Sequence, residues 1–569
     1  MQRKLISSPV LWLALAVFLT AIVARALPGP RTIDDAFITF RYSRNIAEGQ
    51  GFVYNPGVHS LGTTTPLFTL LMAAISAVTG GQNFQWYAIV VSALADGITC
   101  VLLYLLARRL TGSDWLSVFP GLLWAVSPLS VTFAVGGMET SVNILWMVSA
   151  TASYVLLAPP SLPVRGEGVR GWGQRWRLIL IGLFVGLGFL TRIDSVLWSG
   201  PLLLWQLVDT WRNQPEESRA SLLARLPWQT WVTAALVILP WLVFSAAYFG
   251  SPFPRSLSAK TVAYIMPPGS ALVQFIQTFS TPYFEDMTYG TGALMLFALL
   301  YLILSLVGIV SVARRLPRLL PFVLYPWLYA TVFSVANPLI FRWYVAPPMP
   351  GLMMGLFAGV WAVVSSIGTR RDVELVNTPY GKLVQKKAPT DAPSPEASPK
   401  PGRLLPLVAV VGLAWLFTSI NGWTLHPDHG PDRPAPEMAW HKIELLYQDV
   451  GIQLKDQYGV TPQTVVASGD IGAVGYFSRA TILDTVGLVT PAVSSYYPVS
   501  PDIIPEGQNY AIPPQLILDD KPAFLVAMES MVRLGLERDT TFKADYELVR
   551  NIPTDFYGKG MYVYERRKQ

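Results

Sequence analysis

The chain is poor in cysteine, histidine and charge. Its 569 residues include one cysteine, Cys100, and four histidines. A lone cysteine closes no intramolecular disulfide, so any part outside the cell is held by packing alone. No His, Cys and acidic residues fall at metal-ligand spacing, which removes the structural zinc classes. Charged residues make up 14% of the chain, where a soluble domain carries about 25%. The net charge of +6 belongs to loops between apolar segments, so it does not argue for nucleic acid.

What is present is apolar and aromatic. The chain is 52% hydrophobic, with 19 Trp and 24 Tyr and a mean hydropathy of +0.40. That suits a polytopic α-helical membrane protein with aromatic belts at the interfaces. Apolar runs near spanning length recur at about 9–27, 86–107, 115–134, 139–157, 177–191, 194–209, 230–249, 291–312, 319–335, 350–367 and 404–421. A further run, 64–79, is decided by charge asymmetry. If it lies flat at the interface, the loops holding Arg108-Arg109, Arg165 to Arg177, Arg212 to Arg225, Arg314 to Arg318 and Arg370 to Arg403 share a side with Arg3-Lys4. The expectation is therefore eleven spans and an interfacial helix at 64–79. Ala24-Arg25-Ala26 has the shape of a signal cleavage site, but the many later spans favour a retained first helix.

This topology divides the chain into a transmembrane domain, 1–421, and an extracytoplasmic tail, 422–569. The segments 28–85, Gly136 to Glu139, the turn around Arg192 and Asp194, 250–290 and 336–349 also fall outside. A cytoplasmic linker at 368–403, rich in Pro, Lys and Ala from Arg370 on, reads as disordered. In the tail, charge returns and apolar runs shorten. It reads as a soluble α/β domain with a helix at 438–457. Strands are expected near Thr464–Ala467, Thr481–Leu483, Ala523–Ala527, Tyr546–Val549 and Met561–Tyr564. Gly469-Asp470-Ile471-Gly472-Ala473-Val474-Gly475 has the wrong spacing for a dinucleotide fingerprint and reads as a tight strand-to-helix turn.

The chemistry concentrates in the first outer loop. Asp34 and Asp35 are adjacent there, and Asp34, Ile38, Arg41 and Asn45 recur at helical spacing. Asp34 could cap that helix, but a cap needs one acid and there are two. Neighbouring carboxylates repel, so one takes a raised pKa or they share a cation. Either suits a general base or a divalent metal, Mg or Mn. Arg41 and Arg44 either face lipid headgroups or enter the site. Glu139 opens a span, where an acid favours the helix dipole. Arg192 and Asp194 interrupt an apolar stretch, and a charge at mid-bilayer costs roughly 2.5–3.5 kcal/mol. Lys260 and Arg342 are further outer cations. His59 and Tyr54 lie in the first outer loop, and a lone His is a poor metal case.

These residues carry a resemblance. Asp34-Asp35-Ala36-Phe37-Ile38, Tyr54-Asn55-Pro56-Gly57 and Thr64-Thr65-Pro66 resemble the first outer loop of GT-C membrane glycosyltransferases. Gly137-Met138-Glu139-Thr140, Leu190-Thr191-Arg192-Ile193-Asp194, Lys260 and Phe341-Arg342-Trp343-Tyr344 follow in the order that family shows. Ile193 replaces the usual proline, and Ser60-Leu61-Gly62 stands where Glu-Gly is common. Asp470 to Phe477 and Asp484 with Gly487-Leu488 resemble the tail of related enzymes. The likeness is strongest to bacterial cell-wall arabinofuranosyltransferases, and more distant to protein O-mannosyltransferases and aminoarabinose transferases. It implies a multi-pass enzyme of the inner membrane, working as a monomer with its site and tail on the extracytoplasmic side. The donor would be a polyprenyl-phosphate sugar and the acceptor a glycan, lipid or protein. Asp34, with Asp35 as partner, would supply the base. Arg41, Arg192, Lys260 and Arg342 would hold the donor phosphate. Glu139, Asp194, His59 and Tyr54 would shape the acceptor side. The competing class is a transporter or lipid flippase using outer acids, but no internal repeat accompanies the apolar runs.

Overall fold

A computed structural model describes residues 8–157, 167–212, 226–280, 286–368, 373–378, 381–386, 405–423 and 442–568. Arg3-Lys4, Arg165, Arg219, Arg225 and residues 387–404 lie outside them. The apolar runs fold as helices. Among the described residues, six are long and apolar enough to cross a membrane. The expected span at 115–134 is two helices, Val118–Val126 and Pro128–Val135, bent by 52° at Ser127; Pro128 forbids an unbroken ladder there. Counting that pair as one span gives seven. The expected spans at 139–157, 194–209 and 404–421 fold as helices of seventeen residues each. Pro66–Thr79 has fourteen residues, about 21 Å of helix, too short for the roughly 30 Å bilayer core.

A buried ion pair ties the first spans together. Asp96 interrupts the apolar helix Phe84–Thr111 and accepts from Arg25 Nε at 3.0 Å, Ser141 Oγ at 2.8 Å and Trp124 Nε1 at 3.2 Å. Arg25 also donates to the Ala125 carbonyl and to Ser130 Oγ. Charges at membrane depth persist when paired in this way. The pair anchors the end of the first helix, Ser8–Ala26. The chain then runs alongside the Pro128–Val135 helix end, where the amides of Arg31 and Ile33 donate to Val135 and Gly136. Asp34 begins the next helix, Asp34–Ala47, from a position fixed by these bonds.

The linker expected at 368–403 is not wholly without order. Val373–Thr378 (β1) and Gly381–Lys386 (β2) pair as an antiparallel hairpin; Val373-Glu374-Leu375 and Lys382-Leu383 supply a strand-like alternation. The tail holds a helix, Lys442–Asp456, and a five-stranded sheet. Its strands are β3 (Val465–Ser468), β4 (Thr481–Asp484), β5 (Phe524–Met528), β6 (Tyr546–Pro553) and β7 (Gly560–Arg566), in the order β4-β3-β5-β7-β6. β3 pairs in parallel with β4 and β5, and β7 is antiparallel to β5 and β6. Each strand and the 442–456 helix lie where the apolar pattern puts them. The β3-to-β4 crossover is the short helix Gly472–Ser478, so the glycine-rich segment is a strand-to-helix turn.

Small residues set a close helix contact. The helices Asp286–Arg315 and Met349–Gly368 cross where a Cβ on Gly308 would strike the Gly355 carbonyl and one on Gly359 would strike the Leu304 carbonyl. This is a small-xxx-small contact made from Gly355 and Gly359. Gly359→Val should therefore destabilise the protein by about 1–3 kcal/mol. Thermal unfolding in detergent checks this; an unchanged transition would mean these helices do not touch.

Candidate active site

The two adjacent acids diverge. Successive residues on a helix are about 100° apart, so Asp34 and Asp35 cannot face the same partner. Asp34 Oδ2 accepts from the Gly472 amide at 2.9 Å, and Oδ1 from the Ala473 amide at 2.7 Å. It caps the Gly472–Ser478 helix of the tail, not its own helix, whose N-cap is Ile33. A Cβ on Gly472 would overlap the Asp34 backbone carbonyl, so the close approach requires glycine. Burial pushes the Asp34 carboxyl well above the usual range; Asp470 and Asp35 add to this, and the two amides oppose it.

The rest of the first loop completes this joint. Arg41 donates through Nη1 to the Gly475 carbonyl at 2.6 Å and through Nη2 to the Ala480 carbonyl at 2.6 Å and Asn55 Oδ1 at 3.1 Å. Its Nε reaches the Tyr54 carbonyl, and its guanidinium lies 4.2 Å from the Tyr54 ring centre. Tyr54 Oη donates to Ile471, and Asn55 exchanges two hydrogen bonds with Ile482 in β4. Arg44 donates to the Tyr476 carbonyl. Arg41 and Tyr54, expected as a phosphate ligand and an acceptor contact, make these bonds at the joint with the tail. His59 is exposed and stacks on Tyr248 at 4.2 Å.

Asp35 points elsewhere. It lines a cavity of about 630 Å³ together with Asp34, Tyr264, Arg342, Glu444, Tyr447 and Asp470, and within it turns to a different partner from Asp34. Its Oδ2 lies 3.5 Å from Lys260 Nζ. Lys260 lines a second cavity, of about 440 Å³, with Arg192, Asp194, Phe333 and Tyr344. Tyr264 and Leu339 line both, so the Asp35–Lys260 pair stands at the wall between the two. Burial opposes the Lys260 charge, but Asp35 together with Tyr344 and Asp470 raises the ammonium above its ordinary range. The ammonium also sits 4.0 Å from the Phe341 ring centre.

The remaining sequence candidates separate. Arg192 is caged by acids: Nη1 donates to Glu139 at 2.8 Å, and Nε and Nη2 to Asp194 at 2.9 Å each. Tyr329 Oη donates to the same Asp194 oxygen as Nη2. Glu139 and Asp194 thus hold Arg192 at the second cavity, and Glu139 lines neither. Arg342 lies in the first cavity, not beside Lys260 in the second, and pairs with Glu444 at 2.7 Å. Of the expected ligands of a divalent metal, Asp34 carries one amide on each oxygen and Asp35 has Lys260 beside it. Among the described residues no group of three or more His, Cys, Asp or Glu side chains could hold one.

Sequence reasoning passed over Asp470, Glu444 and Tyr447. The cavity opens at the carboxyl ends of three parallel strands, where open α/β sheets bind ligands. Gly469 and Asp470 follow β3, Val486 follows β4 and Met531 follows β5. A carboxylate just past a predicted strand is the signal that could have found Asp470. Burial pushes the Asp470 carboxyl up to about 6; the Tyr447 hydroxyl and Lys260 oppose this and Asp35 adds to it.

Two measurements test this joint and this acid. Asp34→Ala strips two buried amides of their acceptor, which costs about 1–3 kcal/mol each. Hydrogen exchange should accelerate in Gly472–Ser478, and unaltered protection there would refute the cap. An ordinary aspartate titrates near 3.9, below the folded value of Asp470. Ionising it therefore costs folded-state stability as pH rises from about 4 to 6, and the penalty persists above 6. Asp470→Asn should melt higher than the parent at pH 7.5, with the gain fading toward pH 4.

Comparison with known proteins follows this geometry. Residues 63–244 match the family model for dolichyl-phosphate-mannose-protein mannosyltransferase, and residues 437–565 match a domain of unknown function. No curated protein matches the sequence. The fold is similar to ArnT from Cupriavidus metallidurans bound to undecaprenyl phosphate, with TM-score 0.54 at 14% identity, covering 98% of this chain and 97% of that one. It is also similar to the oligosaccharyltransferase AglB from Archaeoglobus fulgidus in complex with an inhibitory peptide and a dolichol-phosphate. There the TM-score is 0.55 at 12% identity, covering 98% of this chain and 74% of that one. The chain thus shares its fold with these two membrane enzymes and matches the mannosyltransferase family model over residues 63–244.

Proposed function

We propose that the protein transfers a sugar from a polyprenyl-phosphate donor to a hydroxyl of an extracytoplasmic acceptor, with Asp35 as general base. The observation that carries this reading is the Asp35–Lys260 pair at the wall between two cavities. The acceptor enters the first, and its hydroxyl proton passes to an Asp35 oxygen. The acceptor oxygen bonds to the anomeric carbon as the bond from that carbon to the phosphate oxygen breaks. The polyprenyl phosphate leaves from the second cavity, where the Lys260 ammonium stabilises the developing charge. Arg192, with its acids, shapes that cavity. Asp34 contributes as a positioning residue, since its oxygens are committed to the tail. The relatives support the donor class: the ArnT structure holds undecaprenyl phosphate and the AglB structure dolichol-phosphate. The shared side of the basic loops supports the outer placement of the site.

The test uses the full chain in lipid nanodiscs with synthetic polyprenyl-phosphate sugars, product being read by mass spectrometry. Asp35→Asn should lower kcat by about 10²–10⁴ without loss of fold. Undiminished turnover in that variant would sink the assignment. Lys260→Met should lower kcat/KM by about 10²–10³, the scale for removing one preorganised donor to a developing charge.

A further inference from the structure

The first cavity holds polar groups that the fold does not satisfy. Tyr447 is 1% exposed, and its hydroxyl, beside Asp470, makes no hydrogen bond of normal geometry. Arg342 Nη1 is buried and equally unsatisfied, although Nη2 is bonded to Glu444. Asp470 has no cation at salt-bridge distance among the described residues, Lys260 being committed to Asp35. Native proteins leave few buried polar groups unpaired, and those they leave call for an explanation. Here an unpaired donor on Arg342, the Tyr447 hydroxyl in no more than a poor bond beside Asp470, and that acidic acceptor line one cavity of about 630 Å³, within the roughly 300–1,000 Å³ of small-molecule sites.

We infer that Asp470, Tyr447 and Arg342 form a recognition subsite for a neutral, hydroxyl-bearing glycan. A sugar hydroxyl both donates and accepts, so adjacent hydroxyls can donate to Asp470 and accept from Tyr447 and Arg342 Nη1. A ligand's carboxylate or phosphate group only accepts, and it would meet Asp34, Asp35, Glu444 and Asp470 with Arg342 already neutralised by Glu444. Like charges brought together in a low-dielectric cavity repel strongly. Phe341 and Trp343, stacked at 4.9 Å, also line the cavity with Tyr264 and supply flat apolar faces for the C–H side of a ring. The tail domain carries Asp470 and Tyr447, so it supplies substrate recognition while the first outer loop supplies the base. That this glycan is the sugar acceptor rests on the reaction proposed above; that the subsite binds it does not.

The experiment is direct binding to the purified full chain, read by intrinsic tryptophan fluorescence and saturation-transfer NMR. The probes are linear neutral pentose and hexose oligosaccharides and their uronic-acid counterparts. Neutral probes should bind, uronates at least tenfold more weakly. Asp470→Ala and Tyr447→Phe should each weaken the neutral probe at least tenfold, with the thermal transition retained in Tyr447→Phe. Failure of every neutral probe, equal or tighter uronate binding, or parental affinity in both variants would overturn the inference. In the transfer assay, Tyr447→Phe should raise acceptor KM tenfold and move donor KM less than threefold. Glycan binding without transfer from any polyprenyl-phosphate sugar would fail the proposed reaction and leave the subsite standing. Transfer with an unmoved acceptor KM would fail the subsite and leave the reaction standing.

Discussion

The arrangement depends on the bond between the Asp34 carboxylate and the first amides of the Gly472–Ser478 helix. It joins the first outer loop to a domain more than four hundred residues later in the chain. The contact is buried, so each hydrogen bond counts for more than it would in water. Around it, Arg41, Arg44, Tyr54 and Asn55 satisfy backbone carbonyls and amides of the tail, which would otherwise be stranded at the joint. The loop can make these bonds because the Arg25–Asp96 pair fixes the end of the first helix and Val135 and Gly136 hold the strand of chain that follows.

From that joint the two cavities follow. Committing Asp34 to the tail turns Asp35, about 100° around the helix, toward the cavity and Lys260. The docked sheet brings the carboxyl ends of β3, β4 and β5 over the same space, so its walls come from both parts of the chain. Charge is then sorted. Acids predominate in the first cavity, while in the second Lys260 faces an arginine whose charge Glu139 and Asp194 already balance. A single ion pair at the wall leaves Lys260 the cation least committed to protein partners on the side where a leaving phosphate would form.

Much of the fold was legible. Apolar runs gave the helices, and the strands of the tail followed from short β-branched segments between turn residues, because both patterns are local. The broken span at Ser127 was missed although Pro128 marks it, since apolar length dominated the reading of 115–134. The hairpin in the linker was missed because Pro, Lys and Ala outweighed a brief alternation. In the candidate site, the acidic pair stood out by its position, but the different partners of its two members did not. Arg41 looked like a phosphate ligand because its charge and helical spacing are visible and its four acceptors are not. Asp470 looked like a turn residue, and Tyr447 was one unremarked position in the helix expected at 438–457.

By itself, the sequence determined that this is a membrane-embedded helical protein with an α/β tail and a chemically loaded first outer loop. Composition, periodicity and the order of short motifs are properties of the chain read in one dimension. Only the tertiary structure decided which aspartate bonds to the tail and which pairs with Lys260, which cations are already paired, and that the tail walls the first cavity. Those outcomes turn on contacts between residues hundreds of positions apart. A side chain's partners depend on where packing and backbone hydrogen bonds bring distant segments together, and no local pattern records that.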